Sequence, residues 1–188
     1  TLFRSTKLCA DKMFIASNNY SAGKTKFSVV RYGNVLGSRG SVVPVFKELK
    51  KSGVLPITDK RMTRFWITLD QGVALVLKAL EIMEGGEIFV PKIPSMKITD
   101  LAEVIAPQCK KKFVGIRPGE KLHEVLIPAD EMRKTMELRD MYVICPDIKH
   151  WRNPRLKSAK TVHDDFEYSS DSNKEWLTPP ALKRMIGE

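Results

Sequence analysis

Residues 27–46 read FSVVRYGNVLGSRGSVVPVF. Phe27–Tyr32 is rich in β-branched and aromatic side chains and reads as a strand. Gly33, Asn34, Gly37, Ser38, Arg39, Gly40 and Ser41 then make a polar, glycine-rich loop. From Val42 to Phe46 an apolar pattern resumes and reads as the start of a helix. That order presents backbone N–H groups at the carboxyl end of a strand, where an anion such as a phosphate can rest. Asn34 can donate and accept, and the Arg39 guanidinium can fork onto a phosphate. An ordinary strand-to-helix connection uses the same residues, and spacing alone does not separate the two readings.

Working outward, residues 4–20 read as a helix whose apolar face includes Leu8, Met13, Phe14 and Ile15, with Gly23 suited to its end. Phe3 and Lys7 stand four apart and share a face of it. After the loop, a helix is expected from about Val43 to Lys51, an extended piece at Leu55–Thr58 and a strand at Thr63–Thr68. Asp70 is expected to cap an amphipathic helix from Gln71 to Met83, with Val73, Leu75, Val76, Leu77 and Leu80 facing the core. A strand at Glu87–Val90, a helix at Leu101–Ala106 started by Thr99 or Asp100, and a strand at Lys112–Ile116 follow. A further strand is expected at Met141–Cys145, and Trp151–Asn173 reads as loop. A last helix near Pro180–Ile186 has Thr178 as its cap and Pro179 in the first turn. Helices alternating with strands signal an α/β protein with parallel pairing.

The 188 residues are enough to bury a core, and 43% hydrophobic with 29% charged residues is a globular rather than a disordered balance. No apolar run is long enough to cross a membrane, so no membrane span is expected. The chain does not begin with Met and opens inside a helical pattern, which predicts a piece of a longer protein. A sheet so truncated would leave apolar helix faces uncovered. The net charge of +10 is spread along the chain, with only Lys110–Lys112 as a run. No motif supports nucleic-acid binding, and a solvated surface or an attraction for anionic substrates accounts for the charge. The three cysteines, Cys9, Cys109 and Cys145, lack ligand or disulfide spacing and read as buried thiols of a reducing, cytoplasmic compartment. The three histidines are equally scattered, and no metal centre is expected.

Five blocks carry a family resemblance: FRSTK at 3–7, RYGNVLGSRGSVVP at 31–44, RMTRFWIT at 61–68, IFVPKIPSMKITDLA at 88–102 and GIRPGEKLHE at 115–124. FEYSSDSN at 166–173 joins them. Together they resemble the carboxyl-terminal half of inverting UDP-N-acetylglucosamine 4,6-dehydratases. Those enzymes are extended short-chain dehydrogenase/reductases of pseudaminic acid (flagellin glycosylation) and related polysaccharide biosynthesis. The implied fold is the later part of a Rossmann-like doubly wound sheet with a small α/β substrate lobe. On that basis residues 1–85 would belong to the NADP-binding domain with inserted substrate-loop elements, and 86–188 would form the substrate-binding lobe and tail.

The reaction the resemblance implies uses a tightly held NADP. Hydride leaves sugar C4, water is eliminated across C5 and C6, and hydride returns to C6 with inversion at C5. In the family a Tyr-x-x-x-Lys pair serves this chemistry, the Lys orienting the nicotinamide ribose and lowering the Tyr pKa. Here Lys7 matches the Lys, but Phe3 stands at the Tyr position, and a phenyl ring has no proton to exchange. No GxGxxG fingerprint occurs either, so the chain by itself is expected to be inactive.

By the same resemblance Lys7 and Tyr32 bind the cofactor, while Asn34, Ser38, Arg39, Val42, Thr58 and Arg117 bind UDP-N-acetylglucosamine. Arg61 and Arg64 are either further phosphate contacts or ion-pair partners. Glu120, Lys121, His123 and Glu124 read as wall or interface, and Tyr168–Asp171 as a tail closing over the nucleotide. A homo-oligomer is implied for the full-length family. Competing readings are a non-catalytic UDP-sugar binding module, a related nucleotide-sugar epimerase, and an anion-binding protein that uses the basic charge.

Overall fold

The structure, a computed structural model, describes residues 2–21, 23–38, 40–148 and 151–187, with side chains from Thr6 onward. Helices and strands are mixed along the chain, which is the α/β class expected from the sequence. The strands pair both parallel and antiparallel instead of parallel throughout, because several follow one another with no helix between them. The helices are α1 (Leu2–Ser17), α2 (Val42–Leu49), α3 (Leu69–Ile82), α4 (Ile98–Ile105) and α5 (Pro179–Ile186). The chain folds into two compact units that interleave along it. One comprises Thr1–Tyr32, Val73–Lys92 and Leu126–Glu167; the other comprises Gly33–Gly72, Ile93–Val125 and Tyr168–Glu188.

The first unit is built on five strands in the order Val29–Val30, Ile88–Pro91, Met141–Ile144, Thr135–Glu137, Lys160–Thr161. Val29–Val30 runs parallel to Ile88–Phe89, and the remaining neighbours are antiparallel. Leu75 and Ala79 of α3 pack with Phe89, Met141, Val143 and Leu156 in its core. Glu87, fully buried, ties this unit together. Its carboxylate accepts from Ser28 Oγ at 2.6 Å, the N–H groups of Glu84 and Gly85 at 2.7 and 2.8 Å, and Asn153 Nδ2 at 3.0 Å. Four donors compensate a buried charge that would otherwise be strongly unfavourable.

The second unit centres on Thr63–Ile67, flanked in parallel by Asn34–Val35 and in antiparallel by Ser95–Lys97. A separate parallel pair joins Val54–Ile57 to Lys110–Phe113. Alternation turns Leu55 and Ile57 inward, where they meet Phe46 of α2, Trp66, Leu101 and Ile105 of α4, and Leu182 of α5. The Thr178 hydroxyl accepts from Ala181 N at 3.4 Å and caps α5 as expected, and Gly187 ends that helix in the left-handed conformation.

Several local expectations change. The cap of α3 is not Asp70: the Thr68 hydroxyl accepts from Gln71 N at 3.2 Å while the Gln71 side chain accepts from Thr68 N at 2.9 Å, a reciprocal capping box. The helix therefore starts at Leu69, and Asp70 lies in its first turn. Of the apolar residues expected to face the core, only Leu75 is buried; Val73, Val76, Leu77 and Leu80 are exposed, as are Leu8, Met13 and Phe14 on α1. Helical period identifies an apolar stripe but not what covers it. Helix α4 starts at Ile98, so Thr99 and Asp100 sit inside it. The stretch 151–173 is more ordered than a loop, holding the strands Lys160–Thr161 and Tyr168–Ser169 and buried Leu156, Tyr168, Ser169 and Ser170. Cys9 is exposed rather than buried, Cys109 is buried, and Cys145 is half-buried. Burial, then the nearby Glu87 carboxylate, pushes the Cys145 thiol up to about 11.

Candidate functional site

The loop after Tyr32 is organised by one close approach. Gly33 lies so near Phe65 that a Cβ there would fall 2.5 Å from Phe65 Cβ and 2.7 Å from its carbonyl oxygen. This glycine is required by space rather than by backbone angle. The approach lets Asn34–Val35 pair with Trp66–Ile67, so Asn34 sits on a short strand and not in an irregular loop. With its amide nitrogen turned to Glu124, Asn34 donates to Oε1 at 3.0 Å and Oε2 at 3.2 Å. Glu124 Oε2 also accepts from Phe65 N at 3.2 Å.

Beyond Asn34 the chain turns through exposed Ser38, whose carbonyl accepts from Ser41 N at 3.0 Å, and enters α2. The first N–H groups of a helix lack partners inside it. Pro44 has none to offer, which leaves those of Val42 and Val43 at this end. Among the described residues the buried Ser41 hydroxyl has no hydrogen-bond partner. The dipole of a helix start favours an anion at this end. Ser38 lies in this turn, and Val42 is the first residue of α2. Arg39 lies outside the described residues.

Thr58 and Arg117 are carried on adjacent segments. The parallel pair Val54–Ile57 and Lys110–Phe113 continues past its carboxyl end, where Gly115 N donates to Thr58 O at 3.1 Å. The Arg117 side chain is exposed, and its turn is closed by Glu120 N donating to Arg117 O at 2.9 Å. Arg61 is occupied by Asp59, with Nη2 to Oδ2 at 2.9 Å and Nε to Oδ1 at 3.0 Å. Those contacts pull the Asp59 carboxyl down to about 2. Arg64 donates to the carbonyls of Thr63, Leu122 and Lys121 at 2.7–3.0 Å and approaches Glu120 and Glu124 at 4.0 Å. Of the two readings left open for it, Arg64 takes the structural one here.

A cavity of about 630 Å³ lies beside this strand, walled by Lys60, Lys97, Thr63, His123, Asp171 and Trp176 among others. Thr63 Oγ1 is 2.7 Å from both His123 Nδ1 and Ser170 Oγ, and Ser170 Oγ accepts from Glu124 N at 2.9 Å. The Ser169 hydroxyl bonded to Asp171 is the first cause holding that carboxyl below its usual range. The tail at 168–171 therefore meets the segment bearing His123 and Glu124, a junction that sequence spacing could not supply. Among the described residues no group of three His, Cys, Asp or Glu is placed to hold a metal.

In the other unit, Lys7 is exposed on α1, and Tyr32 follows Val29–Val30 at the carboxyl end of its parallel pairing, 39% exposed. Phe3 falls within α1, and its side chain lies outside the described residues.

A family model described as polysaccharide biosynthesis protein matches residues 2–146. The chain belongs to that family. A Campylobacter jejuni protein named UDP-N-acetylglucosamine 4,6-dehydratase (inverting) is 51% identical over 195 residues, covering 98% of this chain and 58% of that protein. A Rickettsia conorii protein named UDP-glucose 4-epimerase is 43% identical over 189 residues, covering 96% of this chain and 55% of that one. Among solved structures, the X-ray structure of Pen from Bacillus thuringiensis matches with a TM-score of 0.84 at 34% identity, over 97% of this chain and 56% of that one. The chain thus spans a little over half the length of these relatives. Among the described residues no helix is long and apolar enough to cross a membrane.

Proposed function

We propose that this chain forms the sugar-nucleotide side of an inverting UDP-N-acetylglucosamine 4,6-dehydratase that works with NADP in the cytoplasm as a homo-oligomer. The observation that carries the reading is the 51% identity, over 98% of the chain, with the Campylobacter jejuni protein of that name. The donors at the start of α2 support it, since a nucleoside diphosphate needs such a place for its phosphates. In this reading Asn34, Ser38, Arg39, Val42, Thr58 and Arg117 bind the UDP-sugar. Residues 1–85 would be the later part of the cofactor domain with inserted substrate-loop elements, and 86–188 the substrate-binding lobe and tail. The products would feed surface-sugar synthesis such as flagellin glycosylation.

The exposed Lys7 and Tyr32 fit the nicotinamide side of NADP, Tyr32 because it follows the carboxyl end of a parallel strand. Bound NADP would supply the hydride chemistry. Lys7 would orient the ribose through its ammonium group, and Tyr32 would wall the ring. Phe3 can neither take nor give a proton, so this chain by itself would bind substrate without turning it over.

The test is calorimetric titration with UDP-N-acetylglucosamine and with UDP, followed by incubation with UDP-N-acetylglucosamine and NADP. Saturable binding, weakened by Asn34→Ala and Arg117→Ala, with no 4-keto-6-deoxy product is the expected result. A folded chain that binds neither ligand would remove the reading. The Phe3 substitution favours a second reading, a UDP-sugar binding module without catalysis. Supplying an amino-terminal half that carries a glycine-rich fingerprint and a Tyr would restore turnover only if the first reading holds.

A further inference from the structure

We propose that the cavity beside Thr63–Ile67 is a second ligand site, separate from the one assigned to the UDP-sugar, and that it takes an anionic sugar. A sugar hydroxyl would sit between His123 and Asp171, the ring on Trp176 and the acid group on Lys60 and Lys97. None of Asn34, Ser38, Val42, Thr58 and Arg117 lines this cavity. Its walls all belong to one unit, and about 630 Å³ is the size of a small-molecule pocket.

The direction of the hydrogen bonds under the cavity follows from counting protons. Thr63 and Ser170 are buried, and each hydroxyl has one proton to place. Among the described residues Ser170 Oγ has two neighbours: the Glu124 N–H, which donates to it at 2.9 Å, and Thr63 Oγ1 at 2.7 Å. The Ser170 proton therefore goes to Thr63. The Thr63 oxygen accepts it, and the Thr63 proton goes to its other neighbour, His123 Nδ1, at 2.7 Å. Nδ1 is thus an acceptor, and the ring proton of a neutral imidazole sits on Nε2.

Nε2 stands 3.9 Å from Asp171 Oδ2, too far for a direct hydrogen bond. Asp171 Oδ1 accepts from the Ser169 hydroxyl, which holds the carboxylate in place. A donor and an acceptor so spaced call for a group that accepts from one and donates to the other. A hydroxyl about 2.8 Å from each does both, whereas an ammonium or a carboxylate satisfies one alone.

The other walls indicate what carries that hydroxyl. Trp176 Nε1 donates to Asn173 O at 2.8 Å, which fixes the ring, and the residue stays 41% exposed. A fixed aromatic face can bury the apolar C–H side of a pyranose. Arg61 is spent on Asp59, and the Asp100 carboxylate accepts from the Thr99 hydroxyl. Among the described residues Lys60 and Lys97 form neither an ion pair nor a side-chain hydrogen bond, so both ammonium groups are available to the cavity. Two such cations beside a hydroxyl position and an aromatic face suit a sugar that carries phosphate or carboxylate.

The test is NMR titration of the isotope-labelled chain with glucose 1-phosphate and with glucuronate, against glucose and inorganic phosphate. Both anionic sugars are expected to shift the Lys97, His123, Asp171 and Trp176 signals saturably. They should bind about tenfold more tightly than glucose or phosphate, each of which lacks one set of contacts. The double variant K60M/K97M should weaken the anionic sugars about tenfold and leave glucose unchanged, and W176A should weaken every sugar but not phosphate. Without ligand, the His123 ring nitrogens should report a protonated Nε2 and an accepting Nδ1 at neutral charge. Saturation with UDP-N-acetylglucosamine should leave the anionic sugars bound. A folded chain that neither anionic sugar shifts saturably would overturn the proposal, as would phosphate binding as tightly as the sugars or K60M/K97M without effect. Displacement by UDP-N-acetylglucosamine would also overturn it, because the cavity would then be part of the site already assigned. A chain that binds the anionic sugars but not UDP-N-acetylglucosamine would remove the proposed function and uphold this site.

Discussion

Replacing Gly33 by alanine tests the contact on which the site is built. The new Cβ would stand 2.5 Å from Phe65 Cβ, 2.7 Å from Phe65 O and 2.9 Å from Phe65 C. Carbon atoms rest at about 3.5–4.0 Å, so the two segments would have to part by about 1 Å. Two of the three obstructing atoms are backbone and cannot rotate aside. Phe65 is fully buried, its ring lies 4.6 Å from that of Tyr168, and its N–H is held by Glu124. Overpacking of this kind costs about 1–3 kcal/mol, and the backbone clash puts it at the upper end. The less flexible unfolded chain returns about 0.4–1 kcal/mol, which leaves a net loss of about 2 kcal/mol. For a chain of this length that is a fall of about 4–8 °C in Tm.

Gly72→Ala supplies the opposite sign. It lies inside α3, nothing stands within 4 Å of its Cβ position, and its φ is not positive. Alanine should there stabilise by about 0.8–1 kcal/mol through helix propensity. Circular dichroism melts of the three proteins make the comparison. If Gly33→Ala melts at or above the wild type, the close approach of Gly33 and Phe65 is wrong, and with it the placement of Asn34 against Glu124.

Further outcomes follow from individual groups. Glu87→Gln sets an amide N–H2 among donors that now point at a carboxylate, and leaving one of them unsatisfied should cost about 1–3 kcal/mol. An unchanged melting temperature would mean that the buried knot contributes nothing. At pH 8 only about one Cys145 thiol in a thousand is ionised, given its raised value of about 11, so mass spectrometry of alkylated protein should find Cys9 modified long before Cys145. Equal rates would contradict the burial of Cys145. The Asp59 carboxyl is held at about 2 against an ordinary 3.8, so its pairing with Arg61 is complete above about pH 4 and is lost as pH falls through 2. Its side-chain carbon should titrate with a midpoint near 2 by NMR and not near 4, and Asp59→Asn should remove that part of the acid dependence.

The sequence by itself determined the class of fold and the approximate place of its helices and longer strands, while short strands such as Asn34–Val35, Ser95–Lys97 and Thr135–Glu137 went unread. Period and punctuation suffice for that: Leu55 and Ile57 alternate inward, Thr178-Pro179 starts α5, and the glycine loop ends where α2 begins. These are local effects, carried by residues within one or two turns of each other. The blocks around Asn34 and Arg117 were legible for the same reason, as runs of unusual residues that need no partner to be recognised.

Tertiary structure decided whatever depends on contacts between distant residues. Thr63 meets His123 and Ser170 across separations of 60 and 107 residues, and Asn34 meets Glu124 from a different segment of the same unit. Sequence spacing could mark Glu124 as charged and Asn34 as polar, but not that the two meet. Nor could the apolar stripe of α3 reveal that Leu75 is buried while Leu77 and Leu80 face outward. Periodicity measures which residues share a face, and burial depends on what the rest of the chain brings against it.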